Sequence, residues 1–111
     1  MRRLTGHGAF ESVLRQGRRV EGLYLQLIVA LAPAPAPGGR IGYIIGRKVS
    51  KRAVDRNRIR RKLREAVRAQ PQAVRDHDVV LRVTRARNKV EQDAAALEAA
   101  RLLGELALAR R

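Results

Sequence analysis

Apolar residues mark out the elements of this 111-residue chain by their spacing. Phe10, Val13 and Leu14 fall at i, i+3 and i+4, which predicts a short helix over 8–16 with Gly17 as its stop. Leu23, Leu25, Leu27, Val29 and Leu31 alternate with Tyr24, Gln26, Ile28 and Ala30. That alternation predicts one strand over 18–31, with an apolar core face and a mixed face carrying Tyr24 and Gln26. A second strand, over 40–46, sets Ile41, Tyr43 and Ile45 on one side. Gly42 and Gly46 leave its other side low enough for a helix or another backbone to approach. Ile59, Leu63, Ala66 and Val67 then fall at i, i+4, i+7 and i+8, the core-facing stripe of a helix over 53–69. Val79, Leu81 and Val83 predict a strand over 78–84. Ala95, Ala99, Leu102, Leu103 and Leu106 predict a last helix over 90–109, weakened at Gly104 by roughly 1 kcal/mol relative to Ala.

The connections agree with this order. Residues 32–39, Ala-Pro-Ala-Pro-Ala-Pro-Gly-Gly, favour extended geometry and then a reversal. Ser50 is placed to cap the start of the helix over 53–69, and Asp55 in its first turn suits the positive end of the helix dipole. Pro71 ends that helix. The elements make one small α+β domain over residues 1–111. Their order is α-β-β-(β)-α-β-α, with helices packed on a central sheet.

Charge changes the picture. Lys and Arg number 25 against 10 Asp and Glu, for a formal net charge of +15 and a pI near 11.8. Such self-repulsion is best tolerated when a polyanion is the working partner. No run of 18 apolar residues spans a bilayer, and Met1-Arg2-Arg3-Leu4 is followed by no apolar segment of a secretory signal. The absence of Cys removes disulfides, thiol catalysis and Cys-based zinc sites, and it points to a cytoplasmic address.

The cations concentrate on one helix. Opposite the apolar stripe, Asn57, Arg61, Arg64 and Arg68 fall at i, i+4, i+7 and i+11. Arg60 flanks them on one edge, and Arg58 lies on the other shoulder with Lys62. Lys48, Lys51 and Arg52 stand on the loop before the helix. The acids within reach are Asp55 and Glu65, and each helical ion pair contributes only roughly 0.2–0.5 kcal/mol. The face is nearly all Arg, whose planar fork binds phosphate at two points. Asn57 in its midst costs helix propensity unless its amide has a partner.

These residues carry a resemblance. Arg56-Asn57-Arg58, then Ile59-Arg60-Arg61 and Arg64-Glu65, resembles the signature of the bacterial ribonuclease P protein subunit. The lead-in, Ile41-Gly42-Tyr43-Ile44-Ile45 followed by Arg47 to Val54, is similar to that family too. The resemblance implies a left-handed β-α-β crossover between parallel neighbouring strands, a fold shared with the second domain of a small-subunit ribosomal protein. It implies a chain that is not itself catalytic, within an endonuclease whose active site is RNA and whose Mg²⁺ is held largely by that RNA. The implied partners are this catalytic RNA and precursor tRNA, whose 5′ leader is removed. Arg56, Arg58, Arg60, Arg61, Arg64 and Arg68, with Lys48, Lys51 and Arg52, are then expected to bind RNA phosphates. Asn57 is expected to reach a sugar or base edge, or to fix the helix start. Phe10, with Tyr24 or Tyr43, is expected to line the leader cleft by stacking on unpaired bases. Where the family often has a second aromatic, this chain has Leu14.

The remaining chemistry is sparse. Asp76-His77-Asp78 is the densest acidic group, but three neighbours in sequence rarely converge on a metal, and no metal-binding or catalytic residue is assigned to the protein itself. His7 and His77 are far apart in sequence, which disfavours paired-His acid–base catalysis. A ribosomal or general RNA-binding protein would share the basic face. A DNA reader would use the same helix in a major groove, but an almost purely Arg face offers little base-edge variety. A membrane-surface peptide would not need these strand patterns.

Overall fold

The computed structural model describes residues 2–33 and 38–109. The elements are β1 (Arg2–Arg3), α1 (His7–Gln16), β2 (Arg18–Glu21), β3 (Leu25–Leu31), β4 (Arg40–Ile45), α2 (Ala53–Arg68), a 3-10 turn (Pro71–Val74), β5 (His77–Val83) and α3 (Lys89–Ala109). One five-stranded sheet has the order β1-β4-β5-β3-β2. β3 runs antiparallel to both β2 and β5. β4 runs parallel to β5 and to β1, so β4, α2 and β5 form the expected β-α-β unit. Residues 34–37 of the Pro-rich connection lie outside the described residues.

The central strands are buried on both faces, which the one-sided reading of 18–31 did not foresee. Leu25, Leu27, Val29, Val79, Leu81 and Val83 join Ile59, Leu63, Val67, Ala99 and Leu103 in the main core, between the sheet and helices α2 and α3. Ile28 and Val80 point the other way and pack with Leu4 and Val13 under α1. A strand covered on both sides reads as a continuous apolar run, and Leu27-Ile28-Val29 is such a run.

The predicted single strand over 18–31 is a hairpin, β2 and β3, that turns at Gly22, Leu23 and Tyr24. Leu23, placed by alternation in the core, is 67% exposed in that turn, and Leu31 at the far end is 77% exposed. The reversal is held from a distance. The Glu98 carboxylate on α3 accepts the backbone N–H groups of Leu23 at 2.7 Å and of Tyr24 and Leu25 at 2.9 Å. Period-2 alternation carries no trace of a carboxylate more than seventy residues away.

Two other local expectations change. Arg52, not Ser50, is the N-cap of α2, and no side chain caps it. The carbonyls of Ser50 and Lys51 instead accept the Arg56 guanidinium at 3.0 and 2.9 Å. The basic loop 85–89 proves to be a helix cap. Asn88 Oδ1 accepts the Glu91 N–H, Glu91 accepts the Arg87 N–H, and Arg85 Nε donates to the same carboxylate. The hydrogen bonds from Arg87 and Arg85 hold the Glu91 carboxyl below its ordinary pKa.

Glu98→Gln should lower stability by about 2 kcal/mol in urea unfolding, because the carboxylate uses both oxygens to accept these bonds, whereas the amide has one acceptor oxygen and its –NH2 leaves at least one backbone N–H unpaired. Glu105→Gln, which touches only an exposed i, i+4 partner, should stay within about 0.5 kcal/mol of the parent.

Candidate nucleic-acid interface

Helix α2 is positioned by its apolar stripe. Ile59, Leu63 and Val67 are 1% exposed or less, and Ala66 is half-buried beside them. With that side fixed on the sheet, Asn57, Arg61, Arg64 and Arg68 all face solvent, as their spacing requires. The arginines then divide by partner. Arg52 and Arg58 share Asp55 at 3.9 and 3.7 Å. Arg56 turns back onto the loop carbonyls described above, so its fork braces the start of the helix. Arg60 donates to Asn57 Oδ1 at 3.1 Å, which gives the amide its partner. Lys62 reaches across to Asp93 on α3 at 2.8 Å, a pair that lowers the Asp93 pKa. Among the described residues Arg61, Arg64 and Arg68 have no ion pair, and Lys48 and Lys51 stand exposed on the adjoining loop.

The cleft beside this face is built by a glycine and a short edge strand. Gly6, with φ of +88°, carries the chain from β1 into α1. α1 lies on the sheet so that the Phe10 ring rests directly over Gly42 of β4. A Cβ at Gly42 would meet Phe10 Cε1 and Cζ at 2.6 Å, so only glycine leaves room for the ring. The other glycine expected to admit a neighbour, Gly46, has nothing within 4 Å. Arg3, Leu4, Thr5, Gly6, Phe10, Gly42, Tyr43, Arg60 and Arg64 enclose a cleft of about 360 Å³. It combines two aromatic side chains, Phe10 and Tyr43, with guanidinium groups from two elements, a pairing suited to an unpaired base and its phosphate.

Of the aromatic residues named from sequence, Phe10 and Tyr43 meet in this cleft and Tyr24 does not. Tyr24 packs on the main core, with the Arg85 guanidinium 5.8 Å from its ring centroid. The Tyr43 hydroxyl is buried and has no hydrogen-bond partner among the described residues. Burial raises the Tyr43 pKa against the opposing pull of Arg64 and Arg68. Asp76, His77 and Asp78 do not converge. Asp78 turns inward to a two-point pair with Arg40, at 3.1 and 2.6 Å, and Asp76 contacts His77 at 3.1 Å. Sequence reasoning missed Arg3. Its signal was the Arg2-Arg3 pair beside an apolar Leu4, weighed only as the start of a secretory segment.

A family model described as Ribonuclease P matches residues 1–107. The chain belongs to the ribonuclease P family. It is 45% identical over 67 residues to the ribonuclease P protein component of Acidothermus cellulolyticus, a match covering 60% of this chain and 55% of that one. It is 40% identical over 83 residues to that of Nitrosomonas eutropha, covering 75% and 69% of the two chains. The chain thus spans from about half to about two-thirds of the length of these curated relatives. The fold is similar to the RNase P proteins of Thermotoga maritima, with a TM-score of 0.72, 20% identity and 96% of each chain covered, and of Staphylococcus aureus, with a TM-score of 0.74, 17% identity and coverage of 100% and 96%. The α+β architecture and element order of this ribonuclease P family chain match those structures.

Gly42→Ala should cost about 1–3 kcal/mol by driving the Phe10 ring off the sheet. In a double-mutant cycle with Phe10→Ala the penalty at position 42 should largely vanish, since the obstructed ring is then gone; an undiminished penalty would place the clash elsewhere.

Proposed function

We propose that this chain is the protein subunit of ribonuclease P. Through α2 and the loop over 47–52 it binds the catalytic RNA. In the Phe10 cleft it holds the single-stranded 5′ leader of precursor tRNA, and so assists removal of the leader. The observation that carries this reading is the row of Arg61, Arg64 and Arg68. All three are exposed and without ion pairs among the described residues, on a helix whose opposite side is locked in the core, and Arg64 also walls the aromatic cleft. Arg58, Arg60 and Asn57 extend that face, and Lys48, Lys51 and Arg52 continue it along the loop. Arg56 contributes by holding the loop in place, with its remaining N–H groups directed to RNA.

Phosphate binding of this kind is electrostatic positioning, not bond-breaking chemistry. In this reading the Mg²⁺ of the holoenzyme is held largely by RNA. The most buried carboxylate of the chain, Asp78, is committed to Arg40. A cytoplasmic setting follows from the partners.

The test is reconstitution. With its cognate catalytic RNA at physiological Mg²⁺, the chain should stimulate cleavage of precursor tRNA at the mature 5′ end; no stimulation would leave a general RNA-binding protein as the better reading. Replacing Arg61, Arg64 and Arg68 together by Ala should weaken binding of the catalytic RNA in filter assays. The slope of log K against log salt should become shallower by roughly 2–3, about 0.7–0.9 for each phosphate that is no longer neutralised. Circular dichroism should show an intact fold, because none of the three is buried.

Phe10→Ala should reduce affinity for precursor tRNA more than for mature tRNA, by roughly 1–3 kcal/mol for one stacked base. Equal weakening for both would make Phe10 a packing residue only.

A further inference from the structure

Helix α3 buries one side in the core and carries a second apolar line on the other. Ala99, Leu102 and Leu106 face inward. Val90, Leu97 and Leu108 are 78%, 73% and 63% exposed. They fall at i, i+7 and i+18, which 3.6 residues per turn brings onto one line along the helix, opposite the buried one. A single exposed apolar residue on a surface is ordinary, but three on one line of one helix form a stripe. Ala94 and Gly104 lie on the same side. Leu23, also exposed, stands beside it in the turn that Glu98 holds.

Charge says what this stripe does not meet. α3 carries Lys89 and Arg101 against Glu91, Asp93, Glu98 and Glu105, a net of −2 in a chain of +15. A polyanion is drawn to α2 and not to this side. An anionic bilayer calls for Lys and Arg along the margins of an apolar stripe, and here Asp93 and Glu105 lie at those margins. For a second copy of this chain the same balance is an advantage. Two copies repel each other wherever their basic faces meet, and least where α3 meets α3.

The order of residues fits a second copy as well. Reversed about Ala99, the stripe maps onto itself: Val90 falls opposite Leu108, Ala94 opposite Gly104 and Leu97 opposite Arg101. A two-fold axis then makes each contact twice. The small residues at 94 and 104 let the helix axes approach closely. The Arg101 stem offers methylenes to Leu97 while its head, paired with Glu105 at 3.2 Å, stays in water.

We propose that the outer side of α3 is a self-association surface, on which two copies of this chain pair antiparallel about a two-fold axis at the level of Ala99. The inference does not depend on the RNA-binding role given above. One helix from each copy makes a small interface, so the pair is weak, with a Kd in the micromolar range.

The test uses the full chain freed of RNA by nuclease. Sedimentation equilibrium should show a reversible monomer–dimer mixture at micromolar concentration. Added salt should tighten the pair by screening the repulsion between two cationic copies, whereas association bridged by nucleic acid would loosen. Leu97→Asp should raise Kd about tenfold or more with unchanged circular dichroism, because Leu97 is exposed. Orientation is read by disulfide capture, since the natural chain has no Cys. Val90→Cys and Leu108→Cys chains should cross-link to one another far more than either does to itself. In an antiparallel pair, two copies of position 90 lie about 27 Å apart along the helix axes. A monomer at every concentration would leave the stripe to a different protein and overturn self-pairing. An unaltered Kd in Leu97→Asp, or self-capture by Val90→Cys, would overturn it too. Stimulation of precursor cleavage is scored separately, so failure here with normal stimulation sinks only the self-pairing.

Discussion

Burial of Ile59, Leu63 and Val67 against the sheet is the constraint on which the interface depends. Each buried side chain is worth about 1.5–3 kcal/mol, so rotating α2 about its axis would forfeit several kcal/mol. The rotation is therefore fixed, and with it the direction of every arginine on the helix. Arg61, Arg64 and Arg68 face outward because the residues between them are held inward. The basic face is a consequence of hydrophobic packing, with no need for the arginines to stabilise the fold.

Acidic residues then decide which cations are free. Asp55 holds Arg52 and Arg58 near the helix start, and Asp93 takes Lys62 at the seam with α3. Glu91 occupies Arg85 and Arg87 at the cap of α3. These carboxylates lie at the margins of α2 or away from its outer face. The outer face is left uncompensated, in a chain whose net charge already favours a polyanionic partner. Screening by salt would weaken the pull of this exposed face on a polyanion, while the Arg40–Asp78 pair, with Asp78 3% exposed, is less affected.

The cleft depends on what is missing at the sheet edge. A longer β1 would cover β4 and separate the α1 side from the α2 side. Its two-residue length joins them, so Phe10 from one face and Tyr43 from the other open into the same groove. Gly42 completes the arrangement by removing the one side chain that would lift Phe10 off the strand.

The sequence by itself determined the α+β class, the positions of α1, α2, α3, β4 and β5 to within a residue or so, and the opposed faces of α2. These features follow from periodicity, which is local: a 3.6-residue repeat has one buried side wherever the helix is placed. Its Arg-Asn-Arg signature also pointed to the family. The tertiary structure alone decided that 18–31 folds back as a hairpin, because the turn is held by Glu98 from the far end of the chain. It alone turned Arg56 inward, moved Tyr24 away from Phe10 and brought Arg3 opposite Arg64. Each of these is a pairing across elements or around a turn. Such pairings are set by distances in space, which a one-dimensional pattern of apolar and charged residues does not encode.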